Sequence, residues 1–147
     1  MFRSPNNGLA RKNMTGYSGT PQARKLGIAD GCRLALVKAP RGWQLQDPPP
    51  TARSTGSSGA DVLIAFATRP ADLTELPTWG RRVFPAGAVW VAWPRKAAGH
   101  ASEVTENAIR AAALEIGMVD TKVAAIDENW SGLKIVWRKE NRQLLPE

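Results

Sequence analysis

Apolar residues gather into separate runs along this sequence, and the most concentrated is Ala86-Gly-Ala-Val-Trp-Val-Ala-Trp-Pro-Arg-Lys96. From Ala88 to Trp93 it mixes small, β-branched and aromatic residues without a charge, the pattern of a strand buried on both faces inside a parallel sheet. Pro94 cannot donate to a ladder and ends the run. Asp61 to Thr68 has the same character and is closed by Arg69-Pro70. An earlier strand, Cys32 to Ala39, places Cys32, Leu34, Leu36 and Lys38 on one side and Arg33, Ala35, Val37 and Ala39 on the other. Most of these are apolar, so it too reads as interior. Met118 to Ile126 and Leu133 to Arg138 predict two further strands, joined by a turn over Asp127-Glu-Asn-Trp-Ser-Gly132.

Helical patterns lie between these runs. Thr20 followed by Pro21 is a hydroxyl cap with a proline at the first helical position, and Gly27 ends the short helix they open. Ala71 to Phe84 is helical in composition, with acids near its start and Arg81 and Arg82 near its end, but Pro77 must divide it into two short helices. Ser102 is the expected cap of a third helix, with Glu103 and Glu106 in its first turn and Thr105, Ile109, Ala112 and Ile116 as its apolar stripe. Gly117 closes it. Residues 51–59 suit a short edge strand or an open loop equally well. Residues 1–16 read as a flexible arm and the last nine residues as a frayed tail.

Strands alternating with helices predict one α/β domain over residues 17–140, a small three-layer Rossmann-like sheet that is mostly parallel. The closing hairpin makes one strand antiparallel at or near an edge. That order is similar to the carboxyl half of a methyltransferase-like domain. A glycine-rich phosphate turn should follow the first strand of a dinucleotide-binding fold. Here the corresponding stretch is Pro40-Arg-Gly-Trp-Gln-Leu-Gln-Asp-Pro-Pro-Pro50, with a single glycine and a large Trp43.

The chain has 147 residues and a net charge of +7. That length buries about two thirds of the unfolded surface in a single core. The charge is unevenly distributed, because residues 1–29 hold five cations and no acid, whereas residues 58–147 are neutral. A basic arm of this kind can contact nucleic-acid phosphates, or can be a solvated tail. No run approaches the roughly 20 apolar residues of a membrane span, the first residues lack a signal's apolar core, and a lone Cys32 excludes an internal disulfide. The expected compartment is the cytoplasm.

The chemistry such a chain can hold is limited. One histidine, His100, and one cysteine offer no spaced ligand pair, so no metal is expected. Arg95 and Lys96 sit where open α/β sheets place ligands, at a strand's carboxyl end ahead of a helix, and could receive phosphate, carboxylate or a nucleotide, with Trp93 as a stacking face. They also fit a solvated loop with Trp93 in the core. Asp127, Trp130 and Ser131 could meet that loop, or Asp127 and Ser131 could close a turn in which Gly132 takes a positive φ. Tyr17, Ser18 and Thr20 could lay hydroxyls near a ligand or simply cap the first helix. Trp90 and Trp137 are expected in the core, and Trp43, Trp79 and Trp130 at its rims.

Tyr17-Ser-Gly-Thr-Pro21, Lys25-Leu-Gly-Ile28, Trp90-Val-Ala-Trp-Pro-Arg-Lys96 and Asp127-Glu-Asn-Trp-Ser-Gly-Leu133 together resemble a bacterial family of uncharacterised proteins. It is catalogued as domain of unknown function three-thousand-and-fifty-two. The resemblance spans about residues 15–140 and implies a bacterial, cytosolic protein without assigning any residue a role. Three functions follow from the residues themselves. They are a binding or regulatory module for an anionic ligand or protein partner at the strand carboxyl ends, a methyltransferase-like enzyme with an adenosyl cofactor, and a nucleic-acid-associated protein using the basic arm.

Overall fold

A computed structural model describes residues 21–56 and 59–143. The expected basic arm, with Tyr17, Ser18 and Thr20, lies outside them, as do the last four residues of the expected tail. Six strands form a single sheet: β1 (Arg33–Val37), β2 (Arg53–Ser54), β3 (Val62–Phe66), β4 (Ala88–Pro94), β5 (Met118–Ala125) and β6 (Trp130–Trp137). Their spatial order is β2-β1-β3-β4-β6-β5. The first four run parallel, and β6 lies antiparallel between β4 and β5. The sheet is therefore mostly parallel, and its antiparallel strand is the one next to the edge.

The period-two alternation of each strand divides the core between the two sheet faces. Leu63, Ala65, Val89, Val91, Leu133 and Ile135 point to one face, where they meet helices α2 (Leu76–Val83) and α3 (Glu106–Glu115) and the 3-10 turns over Pro70–Glu75. Val62, Ile64, Phe66, Trp90 and Ala92 point to the other, which is covered by the four-residue helix α1 (Gln22–Lys25) and the loop carrying Trp43 and Leu45. A tryptophan fastens each cover to the sheet. Trp137 donates its indole N–H to the Gly80 carbonyl of α2 at 2.9 Å, and Trp90 donates to the Leu26 carbonyl just after α1, also at 2.9 Å.

Pro77 divides the second helical stretch as expected, standing in the first turn of α2 after the 3-10 segment. Several boundaries differ from the sequence pattern. Pro21 occupies the N-cap position of α1 and helical geometry begins at Gln22. Ser102 does not cap α3. Its hydroxyl bonds Val104 on both backbone groups, Val104 is buried, and the cap is Thr105, whose Oγ1 accepts from Ala108 N–H at 3.1 Å. β6 begins at Trp130 rather than Leu133 because the Asp127 carboxylate closes the hairpin early. The chain has already reversed when Trp130 pairs with Pro94. Gly132 does not take the expected positive φ. It is a close-packing position, where a Cβ would lie 2.6 Å from Ile126 Cδ1 and 3.1 Å from Trp90. The expected fray after Arg138 is instead a 3-10 turn over Lys139–Asn141. Asn141 donates to the Gly117 carbonyl at 2.9 Å and Arg142 to the Trp137 carbonyl at 3.0 Å, which docks that stretch. Trp79 is a core residue, 2% exposed, because its position on α2 turns it toward the sheet.

Candidate functional site at the carboxyl end of the sheet

The parallel strands β1, β3 and β4 all end on the same side, and three local devices hold that end. The first follows β1. Lys38 adopts φ of +60°, rare for a residue with a Cβ, and its ammonium reaches Glu75 Oε2 at 2.8 Å and Asp72 Oδ1 at 3.3 Å. Asp72 is 5% exposed. Its other carboxylate oxygen accepts the Thr68 and Arg69 N–H groups at 3.0 and 3.1 Å, just beyond the end of β3. Burial pushes this carboxyl up, but the two backbone donors and Lys38 outweigh it and hold it below the usual carboxylate range. Glu75 first, then Asp72, raise the Lys38 ammonium correspondingly.

The second device is aromatic. After Pro40, a turn with Gly42 at φ of +80° brings the chain back so that Trp43 N–H meets the Pro40 carbonyl at 3.0 Å. The Trp43 ring stands edge-on to Phe66 at 5.1 Å, and Phe66 stands edge-on to Trp130 at 4.9 Å. Trp43 Nε1 donates to Asp127 Oδ2 at 2.8 Å, while Asp127 Oδ1 accepts from Asn129 and Trp130 N–H at 2.8 and 3.0 Å. A single carboxylate therefore shapes the β5–β6 turn and ties it to the loop after β1.

The third device joins the end of β4 to that same turn. Arg95 N–H donates to the Asn129 carbonyl at 2.8 Å and its guanidinium to the Glu128 carbonyl at 3.3 Å. His100 Nε2 faces Asn129 Oδ1 at 2.9 Å.

Of the residues expected at a site, Arg95, Asp127 and Trp130 come together at this end of the sheet. Lys96 is exposed at the start of the following 3-10 turn, which spans Lys96–Ala98. Trp93 and Ser131 pair across β4 and β6. Trp93 packs, partly buried, on the helical face and not beside the aromatic trio. The pattern missed Lys38, Asp72, Trp43 and the His100–Asn129 contact. Trp43 carried a usable signal, since a tryptophan that packs away from water needs an acceptor for its N–H and Asp127 was already a candidate. No spacing signals an amide meeting a histidine 29 residues away.

Where a dinucleotide fold cradles a phosphate on bare backbone, this chain has Trp43. It also has no helix between β1 and β2, and Ser54-Thr55-Gly56 in place of an acid at the end of β2. Among the described residues His100 hydrogen-bonds only Asn129 through its ring, so no nucleophile–base pair is assembled there. A cleft of about 430 Å³ opens elsewhere, at the amino ends of the strands, and is lined by Leu26, Arg33, Asp61, Phe84 and Lys134. No helix of the described residues is long and apolar enough to cross a membrane.

No protein-family model matches this chain, and no curated protein does. Its fold resembles solved structures. A provisionally assigned methyltransferase from Thermoplasma acidophilum superposes with a TM-score of 0.50 at 8% identity, over 76% of this chain and 70% of that one. LepI in complex with SAM superposes with a TM-score of 0.50 at 9% identity, and a LepI variant with SAH and a substrate analogue with 0.52 at 10%. Each LepI comparison covers 86% of this chain and 50% of the LepI chain. The chain spans about a third (34%) of the O-methyltransferase NcsB1. The superpositions on the Thermoplasma protein and on LepI establish the fold as α/β and Rossmann-like.

Proposed function

We propose that this chain is a methyltransferase-like fold used as a binding module, which takes a small anionic ligand at the carboxyl end of its sheet. Arg95 and Lys96 supply the charge, and the loop after β4 and the β5–β6 turn form the rim. The observation that carries this proposal is the Trp43–Asp127 bond. It closes the end of β1 with the chain's own side chains, where a cofactor-dependent enzyme of this architecture needs open backbone. The residues present do not fit an adenosyl group there, and no catalytic step is derived through one.

A second reading, an adenosyl-dependent enzyme, is favoured by the complexes of the fold neighbours with SAM and SAH. Titration of the full chain with SAH, followed by calorimetry, separates the two. Absence of heat with SAH, together with a phosphate- or carboxylate-bearing ligand whose affinity falls at least about tenfold in Arg95→Gln/Lys96→Gln, is the result expected of the binding module, since losing a charge-assisted pair costs about 1.5–3 kcal/mol. Saturable binding of SAH would replace it with the enzyme.

A further inference from the structure

The open stretch of the sheet beside α1 carries cations from three elements. Alternation along β6 puts Trp130, Gly132 and Lys134 on the face that α1 covers, the face to which Trp90 and Ala92, the register partners of Lys134 and Gly132, also point. On β5, Lys122 stands directly opposite Lys134, and Ala124 opposite Gly132. Like charges facing one another across two strands are destabilising, and among the described residues neither lysine has a carboxylate partner. A third cation, Lys25 on α1, borders them. Partial burial lowers its ammonium pKa, and Lys122 and then Arg95 add to that. Lys134 Nζ comes within 4.0 Å of the Cβ position at Gly27 and continues the row into the cleft at the amino ends. The row thus runs from that cleft, past Lys122 and Lys25, to Arg95. There Trp130 is half-buried on the same face and Arg95 bonds the residues just before it.

We propose that this row is a groove for single-stranded nucleic acid, in which Lys134, Lys122, Lys25 and Arg95 track phosphates and the open part of the Trp130 ring offers a stacking surface. Spaced point charges ending at an aromatic ring suit a sequence-tolerant strand track. An acidic peptide would use the charges but has no base at each phosphate interval to stack on the ring. The groove goes beyond the anionic-ligand site: it shares Arg95 with that site, and its three lysines are separate from Lys96 and from the loop after β4.

The test is fluorescence anisotropy of labelled oligothymidine with the full chain across a salt series, compared with Lys122→Gln/Lys134→Gln. Loss of two phosphate contacts should flatten the slope of log K against log salt by about 1.4 and weaken low-salt binding by about tenfold or more. Lys122→Glu serves as a folding-safe companion, because it converts the like-charged pair into an opposite one. It should weaken oligothymidine binding at least as much per residue while its circular dichroism spectrum stays that of the parent. An unchanged salt slope in the double variant, with binding carried by the arm outside the described residues, overturns the groove. So does competition by polyglutamate equal to that by oligothymidine at matched charge, which would assign the row to acidic proteins. Failure here leaves the Arg95–Lys96 site standing, because the variants do not touch it.

Discussion

The two faces of the sheet are fastened by the same device and differ in almost everything else. On the helical face Trp137 bonds α2 and lies among Trp79, Leu76, Ile109, Met118 and Leu133, all buried. On the other face Trp90 bonds the end of α1, but a four-residue helix and a proline-bounded loop supply the cover, and Leu36 in the middle of β1 remains 38% exposed. Stability scales with the apolar surface removed from water, so the helical face holds the fold together. The thinly covered face is free to display charge. The cationic row and the Trp43–Phe66–Trp130 trio both belong to that second face.

This contrast can be broken most severely at Trp79. Trp79→Ala should destabilise the protein by about 3–5 kcal/mol, because the cavity lies between α2 and the sheet and cannot collapse; urea unfolding followed by circular dichroism measures it. Asp72→Ala should cost about 2–3 kcal/mol, since it leaves the Thr68 and Arg69 N–H groups and Lys38 without their shared acceptor. Its carboxyl is depressed in the folded state, so the parent's advantage over Asp72→Ala is present above the unfolded value near 3.8 and disappears as pH falls through the lower folded value. Denaturation midpoints of the pair, compared from pH 7 down to pH 2.5, should converge. Trp43→Ala, on the second face, should cost only about 1–2 kcal/mol, because the ring is half-buried and the loop can settle onto Phe66. It should nonetheless change the near-ultraviolet dichroism of the aromatic trio. The smallest effect has the opposite sign: Lys122→Glu should stabilise by about 0.2–1 kcal/mol by pairing with Lys134. A neutral or destabilising result in low salt would show that the two lysines are not repelling one another.

The buried strands β3 and β4 were legible because a parallel interior strand has few ways to be written other than as a continuous apolar run. The break at Pro77 and the stop at Gly117 were legible for equally local reasons. The start of α3 was not. Ser102 and Thr105 are both competent caps, and the choice fell to Val104, whose burial requires the chain to reach the core before it turns helical. The start of β6 was misplaced because Asp127 satisfies backbone groups three residues ahead, which a turn composition does not locate. At the candidate site, Arg95 and Asp127 were visible as charged residues in loops after strands. Lys38, Asp72 and the Trp43–Asp127 bond join residues 34 and 84 positions apart, and no period or spacing in the sequence encodes such a distance.

The strands at the two ends of the sheet have a consequence for behaviour at high concentration. β2 is only two residues long, and β5 is interrupted between Asp120 and Lys122 and carries an exposed lysine just after the break. A growing stack of molecules needs a long, regular, uncharged rim to copy, and neither rim provides one. The same bulge that sets Lys122 opposite Lys134 therefore blunts the longer rim. A chain this rich in buried β-structure can expose a face for binding without inviting copies of itself to extend the sheet.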